Sequence, residues 1–211
     1  MDEHKKTILR LHMEQAKKAL EEHHIKTFIV KDQKEACSLA NSLIKDKEKV
    51  SDGGSMTLSE IGLSDMLKKR DITYISHNEP LSKEESEQEA HDAFFADTFI
   101  CSSNAVTMDG ALINVDGHGN RVAAMIYGPN QVIVIIGSNK LVKNEEEAKK
   151  RIQSMAAPAN CVRLKRATPC VKLGSCQDCH SKDRICNFYV KIEYDMYDRL
   201  RVILMEEEAG Y

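Results

Sequence analysis

Hydrophobic and polar positions recur along the chain with two different periods, which divide it into helices and strands. Three segments place their apolar residues on one helical face: 2–23, 33–44 and 82–97. Short runs rich in β-branched residues separate them, at 25–31, 72–76 and 98–107. Near residue 52 the pattern predicts the end of another strand, followed by a glycine turn and a helix. This alternation predicts an α/β domain.

The pattern changes after residue 110. Residues 110–137 hold three apolar β-branched runs, and the turn "DGHGN" between two of them predicts a hairpin. Residues 144–156 predict a helix that Pro158 ends, and 201–208 predict a last strand with an acidic tail. We therefore expect one domain over 1–211. Its predicted fold is a three-layer α/β/α sandwich with a mixed, mostly parallel sheet and a cysteine-rich C-terminal loop.

The composition excludes several classes of partner. The formal net charge is −3, tryptophan is absent and aromatic residues make up 5%, so a nucleic-acid or anionic-membrane binder is not expected. The charged N-terminal segment holds no apolar run suited to a signal peptide or a membrane span. These features predict a cytoplasmic protein in a reducing compartment. A homo-oligomer is left open.

The segment "GGSMT" (53–57) predicts one wall of a ligand pocket. Gly53 and Gly54 allow the backbone to approach a ligand closely. The amides of Ser55, Met56 and Thr57 would then face a phosphate or carboxylate at the start of a helix. The loop predicts binding of a small anionic metabolite.

The same segment has a purely structural interpretation. Thr57 and Glu60 have the spacing of a capping box, in which Glu60 reaches back to the amide of Thr57. Glu60 is thus either a candidate general base or a capping residue.

The segment "SSNAVTMDG" (102–110) predicts a second wall. Ligands in open α/β sheets lie outside the carboxyl ends of strands, where Ser103, Asn104 and Gly110 would contact the ligand. Asn104 could donate a hydrogen bond to a substrate oxygen, and Asp109 is a second candidate general base. As turn-forming residue types, Asn104 and Asp109 have an equally ordinary structural role.

Lys140, in the loop "GSNK", is a further candidate ligand-binding residue. Its ammonium group could neutralise an anionic substrate. The alternative is a solvated surface charge, which is the usual situation of a lysine.

Four of the seven cysteines fall within residues 168–186, with the spacing C-x5-C-x2-C-x6-C. Four thiolates from Cys170, Cys176, Cys179 and Cys186 could complete a tetrahedral zinc site or hold an iron–sulfur cluster. The spacing does not distinguish these cofactors. Two alternatives remain, a redox dithiol formed by Cys176 and Cys179, and plain structural cysteines.

The remaining cysteines carry no such signal. Cys37, Cys101 and Cys161 lie in predicted helix or strand segments, or next to one. Buried free cysteine behaves as a small hydrophobic residue, and this role is expected for all three.

Several motifs together resemble the lactate-utilisation (LUD) domain family: "SDGGSMTLSEIGL" (51–63), "SSNAVTMDGALINVDGHGNRVAAMIYGPNQVIVIIGSNK" (102–140) and the terminal "VILMEEEAGY". The resemblance implies the fold group of glucosamine-6-phosphate isomerases, ribose-5-phosphate isomerases and CoA transferases. It also implies a part in the oxidation of L-lactate to pyruvate beside iron–sulfur partner proteins. That association favours an iron–sulfur cluster over zinc at the cysteines.

Three functional hypotheses follow. The first is an accessory subunit of 2-hydroxy acid oxidation that binds a small anionic metabolite and a metal or iron–sulfur cluster. The second is a non-enzymatic subunit that carries a structural zinc and docks to an iron–sulfur protein. The third is an isomerase or acyl transferase that uses Glu60 or Asp109. Whether the chain is itself a catalyst stays open among them.

Overall fold

The computed structural model describes residues 2–76 and 82–211. Its helices are α1 Glu3–Glu22, α2 Gln33–Ser42, α3 Met56–Glu60, α4 Leu63–Leu67, α5 Lys83–Asp92, α6 Asn120–Ile126, α7 Glu145–Arg151, α8 Ala157–Arg163 and α9 Pro169–Leu173. Its strands are β1 Lys26–Val30, β2 Lys49–Asp52, β3 Thr73–Ile75, β4 Thr98–Cys101, β5 Ala105–Thr107, β6 Leu112–Asp116, β7 Gln131–Gly137, β8 Leu141–Val142, β9 Phe188–Ile192 and β10 Leu200–Met205. Within these ranges, no helix is long and apolar enough to cross a bilayer.

A parallel sheet forms the centre of the molecule. Its strand order is β1-β10-β7-β4-β2-β3, and each neighbouring pair is parallel. The central strands are buried on both faces, as continuous apolar runs such as that of β7 require. The predicted α/β fold with a mostly parallel sheet is confirmed.

Helices cover both faces of this sheet. On one face, Met13 and Leu20 of α1 and Met125 of α6 pack in a core cluster with Phe99 and Val134. On the other face, α2, α3 and α4 bury their apolar residues against alternate residues of the same strands: Ile100, Ile133, Ile135, Ile203 and Met205. The alternation of side chains along each strand thus produces two cores and three layers.

A smaller sheet lies beside the main one, with the order β8-β5-β6-β9. It mixes a parallel pair, β5 with β8, and antiparallel pairs. Ala105 and Ile113 pack under Ala148 and Ile152 from the α7 region. Helix α7 thus packs on the smaller sheet, and α8 continues from α7 through a π-helical turn.

The predicted hairpin at "DGHGN" is wrong. Gly119, with φ +85°, precedes helix α6, which carries the chain from β6 to the parallel strand β7. The segment contains two alanines and a methionine, which favour a helix. Strands β6 and β7 belong to different sheets, so no hairpin joins them.

The predicted end of the helix at Pro158 is also wrong. The helical segment continues from α7 through a π-helical turn, Ile152–Ala156, into α8, which contains Pro158 near its start. Proline lacks the amide hydrogen that an α-helical interior needs. The wider hydrogen-bond spacing of the π turn accommodates Pro158 without ending the helix.

Candidate ligand pocket

A cavity of about 340 Å³ lies at the carboxyl ends of three neighbouring main-sheet strands. Gly53 follows β2, Ser102 follows β4, and Lys140 lies just after β7; all three line the cavity. The roof comes from α8 and from residues near the C-terminus. This is the position at which open α/β sheets bind ligands.

The cavity brings most of the predicted pocket residues together. Those that line it are Gly53, Gly54, Ser55, Met56, Thr57, Ser103, Asn104 and Lys140. Glu60, Asp109 and Gly110 are not among the lining residues. The two candidate general bases are therefore separated from the predicted ligand contacts.

The predicted capping box at Thr57 is wrong. Helix α3 begins at Met56 with Ser55 as its N-cap, which makes no side-chain capping bond. Glu60 is exposed, and its Oε2 accepts a hydrogen bond from the amide of Gly210 at 2.6 Å. Glu60 thus holds the C-terminal segment against α3 instead of closing its own helix.

Asp109 and Gly110 lie beside helix α1. The exposed Asp109 carboxylate accepts a hydrogen bond from Thr107, and the carbonyl oxygen of Gly110 lies 2.9 Å from Nδ1 of His23. A β-carbon on Gly110 would lie 2.7 Å from the backbone of Ala19. These contacts give the Asp109–Gly110 turn a packing role on the side of α1.

Lys140 is buried at the cavity wall, only 2% exposed, so the surface-charge interpretation does not describe it. Its Nζ lies 2.7 Å from Oγ1 of Thr57 and 3.0 Å from Oγ of Ser102. Among the described residues, no carboxylate lies within ion-pair distance of this amine. Burial, followed by the positive charges of Arg151 and Arg121, lowers the pKa of Lys140 to about 7.

Arg121, a residue that sequence reasoning missed, supports the cavity floor. Its guanidinium donates to the carbonyl of Ser102 at 3.0 Å and to Oδ1 of Asn114 at 2.8 Å. It also donates to Oδ1 of Asn104 at 3.2 Å and to the carbonyl of Val115 at 2.9 Å.

The remaining donor of Arg121, Nε, lies 3.3 Å from Oδ2 of Asp116 in a buried ion pair. With every nitrogen engaged, Arg121 positions the loops around it and is not a free ligand donor. The sequence signal that could have identified Arg121 is its position in "GNRVAAM". Had this segment been predicted as a helix, Arg121 would have been expected in its first turn, close to the end of β6.

Asn104 joins both sides of the pocket. Its side-chain oxygen accepts from the amide of Val115 at 2.9 Å and from Arg121, and its backbone carbonyl accepts from Arg151 at 2.7 Å. The side-chain amide nitrogen of Asn104, Nδ2, makes no hydrogen bond to any residue in the described part of the chain. That nitrogen is available to donate to a ligand, the role predicted for Asn104.

Two arginines of the α8 region also line the cavity, Arg163 and Arg166. Nε of Arg166 is buried and has no hydrogen-bond partner among the described residues. Asp116, already paired with Arg121, is the one acidic side chain of the described residues that lines the cavity. The pocket therefore has an excess of positive charge. Arg163 ends α8 and Arg166 follows it, and the sequence pattern placed both only near the cysteine-rich segment.

Comparisons with known proteins identify the family of this chain and agree with its fold. The profile of the LUD domain matches residues 13–205. The chain belongs to the LUD-domain family. A crystal structure of a DUF162 family protein from Deinococcus radiodurans is similar, with a TM-score of 0.56 at 13% identity over 94% of this chain and 98% of that chain. A search of curated proteins found no match.

Two further solved structures match this LUD domain more weakly. A ribose-5-phosphate isomerase in complex with phospho-erythronic acid has a TM-score of 0.35 at 18% identity, covering 63% of this chain and 64% of its own. The eIF2B beta of Chaetomium thermophilum has a TM-score of 0.39 at 16% identity, covering 55% and 44%.

Cysteines of the segment 168–186 of this LUD domain lie near one another. Cys186 lies close enough to Cys176 and Cys179 for their charges to act on it, and burial is the main cause that raises its pKa. Arg184 donates to the backbone carbonyls of Cys179 at 2.8 Å and of Cys186 at 3.1 Å. Arg184 therefore contacts the backbone of two of the four predicted metal ligands.

The fourth predicted ligand, Cys170, has a different neighbour. It contacts Cys161 of α8, whose pKa is raised to about 11, first by burial. Within 2–76 and 82–211, no three or more His, Cys, Asp or Glu side chains are arranged to hold a metal ion. The four-cysteine metal site stays a prediction. Ile185 lines the cavity, so this segment adjoins the pocket.

Proposed function

We propose that this LUD-domain protein binds a small anionic metabolite, a 2-hydroxy acid or the corresponding 2-oxo acid, in the cavity at Lys140. In this proposal the protein is an accessory subunit of 2-hydroxy acid oxidation that works beside an iron–sulfur partner protein. The observation that carries the binding proposal is the buried amine of Lys140, which has two hydroxyl partners and no carboxylate partner among the described residues.

A buried cation without a counter-ion is costly in an empty pocket. A carboxylate ligand would supply the missing negative charge beside Lys140. The guanidinium of Arg166, which lines the cavity, and the free side-chain amide nitrogen of Asn104 would add donors. Charge-assisted hydrogen bonds of this kind are the strong ones in proteins.

The remaining features of the pocket suit an acid that also carries a hydroxyl or carbonyl group. The hydroxyls of Thr57 and Ser102 lie next to Lys140 and can exchange hydrogen bonds with an oxygen at the second carbon of the acid. Gly53 and Gly54 leave the wall free of side chains near these groups. The cavity of about 340 Å³ leaves room for a substituent on the acid.

The test is a calorimetric titration of the purified protein with lactate, pyruvate, acetate and ribose 5-phosphate. We expect saturable binding of lactate and pyruvate that weakens sharply in Lys140→Met, and weak binding of acetate, which lacks the second oxygen. Binding of ribose 5-phosphate alone would replace this proposal with the isomerase hypothesis. No saturable binding by any of them would leave the docking subunit as the better hypothesis.

A second candidate function is a metal or iron–sulfur site at Cys170, Cys176, Cys179 and Cys186. Its support is the approach of Cys176 and Cys179 to Cys186. All four thiols are only partly exposed, which suits thiolate ligands held by a short segment. Iron or zinc at this site would help to fold a segment that has few apolar residues of its own.

Metal content and visible absorption of protein purified without oxygen test this candidate. Stoichiometric iron and sulfide would indicate a cluster, and stoichiometric zinc without colour would indicate a structural site. The content of either metal should fall in Cys176→Ser and persist in Cys37→Ser, because Cys37 belongs to α2 and is buried in the core against the main sheet. Protein without metal would contradict this candidate and leave the proposal for the pocket intact.

A further inference from the structure

The surroundings of Lys140 fit a neutral amine better than an ammonium ion. A neutral amine has two N–H donors and one lone pair. Two acceptors, the hydroxyl oxygens of Thr57 and Ser102, lie within hydrogen-bond distance of Nζ. An ammonium ion would carry a third donor, for which the described residues provide no acceptor.

The two hydroxyls can accept from the amine because their own protons have other acceptors. Thr57 Oγ1 donates to the carbonyl of Ala209 at 3.3 Å. Ser102 Oγ lies 3.4 Å from the carbonyl of Ser103. Gly210 closes a further side, since a β-carbon there would lie 3.2 Å from Nζ. Thr57, Ser102 and Gly210 therefore surround the amine on its other sides, and its remaining side faces the cavity.

The charges around Lys140 act mostly in the same direction. Arg151 of α7 and Arg121 of α6 disfavour a third positive charge, and burial disfavours it more strongly. Glu60 of α3 and Cys101 of β4 act in the opposite sense, with smaller effects. Desolvation next to other cations is one of the ways in which enzymes activate a lysine as a nucleophile.

We infer that Lys140 is a carbonyl-reactive amine that forms an imine with a 2-oxo acid held in the pocket. This inference rests on the proposed binding of 2-hydroxy and 2-oxo acids and adds a covalent step to it. The Nζ lone pair attacks the carbonyl carbon, and one Nζ proton passes to the carbonyl oxygen to give a carbinolamine. The second Nζ proton then passes to the hydroxyl group, which leaves as water. One water is thus released for each carbon–nitrogen double bond formed. No oxidant or reductant is consumed.

The pocket offers groups for both ends of such a ligand. The guanidinium of Arg166 and the side-chain amide of Asn104, which both belong to residues lining the cavity, can hold the carboxylate. The hydroxyls of Thr57 and Ser102 can transfer protons near the carbonyl oxygen. A 2-hydroxy acid has no carbonyl group and would bind without the covalent step. The inference therefore predicts that the 2-oxo acid reacts covalently with Lys140, whereas the 2-hydroxy acid only binds.

The experiment is reductive trapping on the intact protein. Pyruvate is added, sodium borohydride reduces any imine to a stable secondary amine, and mass spectrometry locates the modified lysine. We expect one pyruvate-derived group per chain at Lys140, little modification when lactate replaces pyruvate, and loss of the modification in Lys140→Arg, which keeps a cation. Lys143→Met, an exposed neighbour, is the matched control and should be modified as the wild type is.

The outcomes separate this inference from the proposed function. Saturable pyruvate binding without modification of Lys140 would overturn the inference and leave the binding proposal standing. Modification spread over exposed lysines, and unchanged in Lys140→Arg, would overturn it in the same way. Absence of saturable binding of both acids in calorimetry, together with no trapping, would overturn both.

Discussion

Gly210 crosses Thr57 so closely that a β-carbon on Gly210 would lie 2.5 Å from the Thr57 hydroxyl oxygen. The same hydroxyl is the nearer partner of Lys140. The amide of Gly210 also donates to Glu60, and its carbonyl accepts from Asn139 at 2.7 Å. The C-terminal segment and the buried amine therefore share one hydroxyl group, so that a change in the path of this segment should alter the pocket.

Gly210→Ala should lower both stability and ligand affinity. Gly210 has φ +59°, where an alanine costs about 1–2 kcal/mol, and the collision with Thr57 adds about 1–3 kcal/mol. Urea unfolding measures the first effect, and lactate titration measures the second.

The control for that variant is Gly62→Ala. Gly62 has a similar φ of +73°, and a β-carbon there would meet nothing within 4 Å. This control should show the backbone cost alone and normal ligand binding. Equal losses of stability in the two variants, with lactate affinity unchanged in both, would mean that the contact between Gly210 and Thr57 is unimportant.

Lys140→Met should weaken lactate binding about 10-fold or more, because one charge-assisted hydrogen bond is worth roughly 1.5–3 kcal/mol. Methionine has a similar length and fills the buried space without a charge. Calorimetry measures the change, and Lys143→Met, which removes an exposed lysine three residues away, should bind as the wild type does. Retained affinity in Lys140→Met would place the anion elsewhere.

The affinity for lactate should depend on pH through Lys140. The pKa of Lys140 is lowered to about 7 from an ordinary value of 10.5, so the amine is charged in the empty pocket only at lower pH. An anion prefers the charged form. Affinity should therefore be constant well below pH 7 and fall by up to about tenfold per pH unit above it. A profile from pH 5.5 to 9 that stays flat would contradict this assignment.

The same shift predicts the direction of a stability change. Between about pH 7 and 10.5 the unfolded chain holds the Lys140 proton while the folded chain has released it, so the free energy of unfolding should rise with pH across this window. Other groups also titrate there. The quantity to measure is thus the difference between wild type and Lys140→Met, which should increase toward high pH.

Arg121→Lys should destabilise the protein by about 3 kcal/mol, because it disrupts a buried ion pair and hydrogen-bond network. A lysine keeps the charge but cannot reach the partners that surround the guanidinium: Ser102, Asn104, Asn114, Val115 and Asp116. Urea unfolding measures the loss. Arg163→Lys is the control, because Arg163 is exposed and interacts with the side chains of Asn160 and Tyr211 rather than with a buried carboxylate. Similar stability of the two variants would show that the Arg121 network contributes little.

Local sequence patterns predicted a helix or strand correctly where the conformation of a segment depends mainly on its own residues. Apolar periodicity predicted α1 and α2, and the strand runs predicted β1, β4 and β10. Helix α5 begins where expected, because Ser82 and Glu85 form a capping box within four residues. The errors at Pro158 and at "DGHGN" arose where a π turn, or a helix that links strands of two different sheets, outweighed a local turn signal.

The sequence by itself determined the α/β class, the family motifs, most helices and strands before residue 110, and two of the segments that line the cavity, 53–57 and 103–104. Only the tertiary structure decided which residues of those loops meet. Thr57 and Lys140 are 83 positions apart, and their contact exists because β2 and β7 end at the same edge of one parallel sheet. Only the tertiary structure shows that Arg121 forms hydrogen bonds beneath the cavity and that Glu60 and Asp109 do not line it. Periodicity fixes which face of an element is buried, whereas distances between remote side chains depend on how all the elements pack.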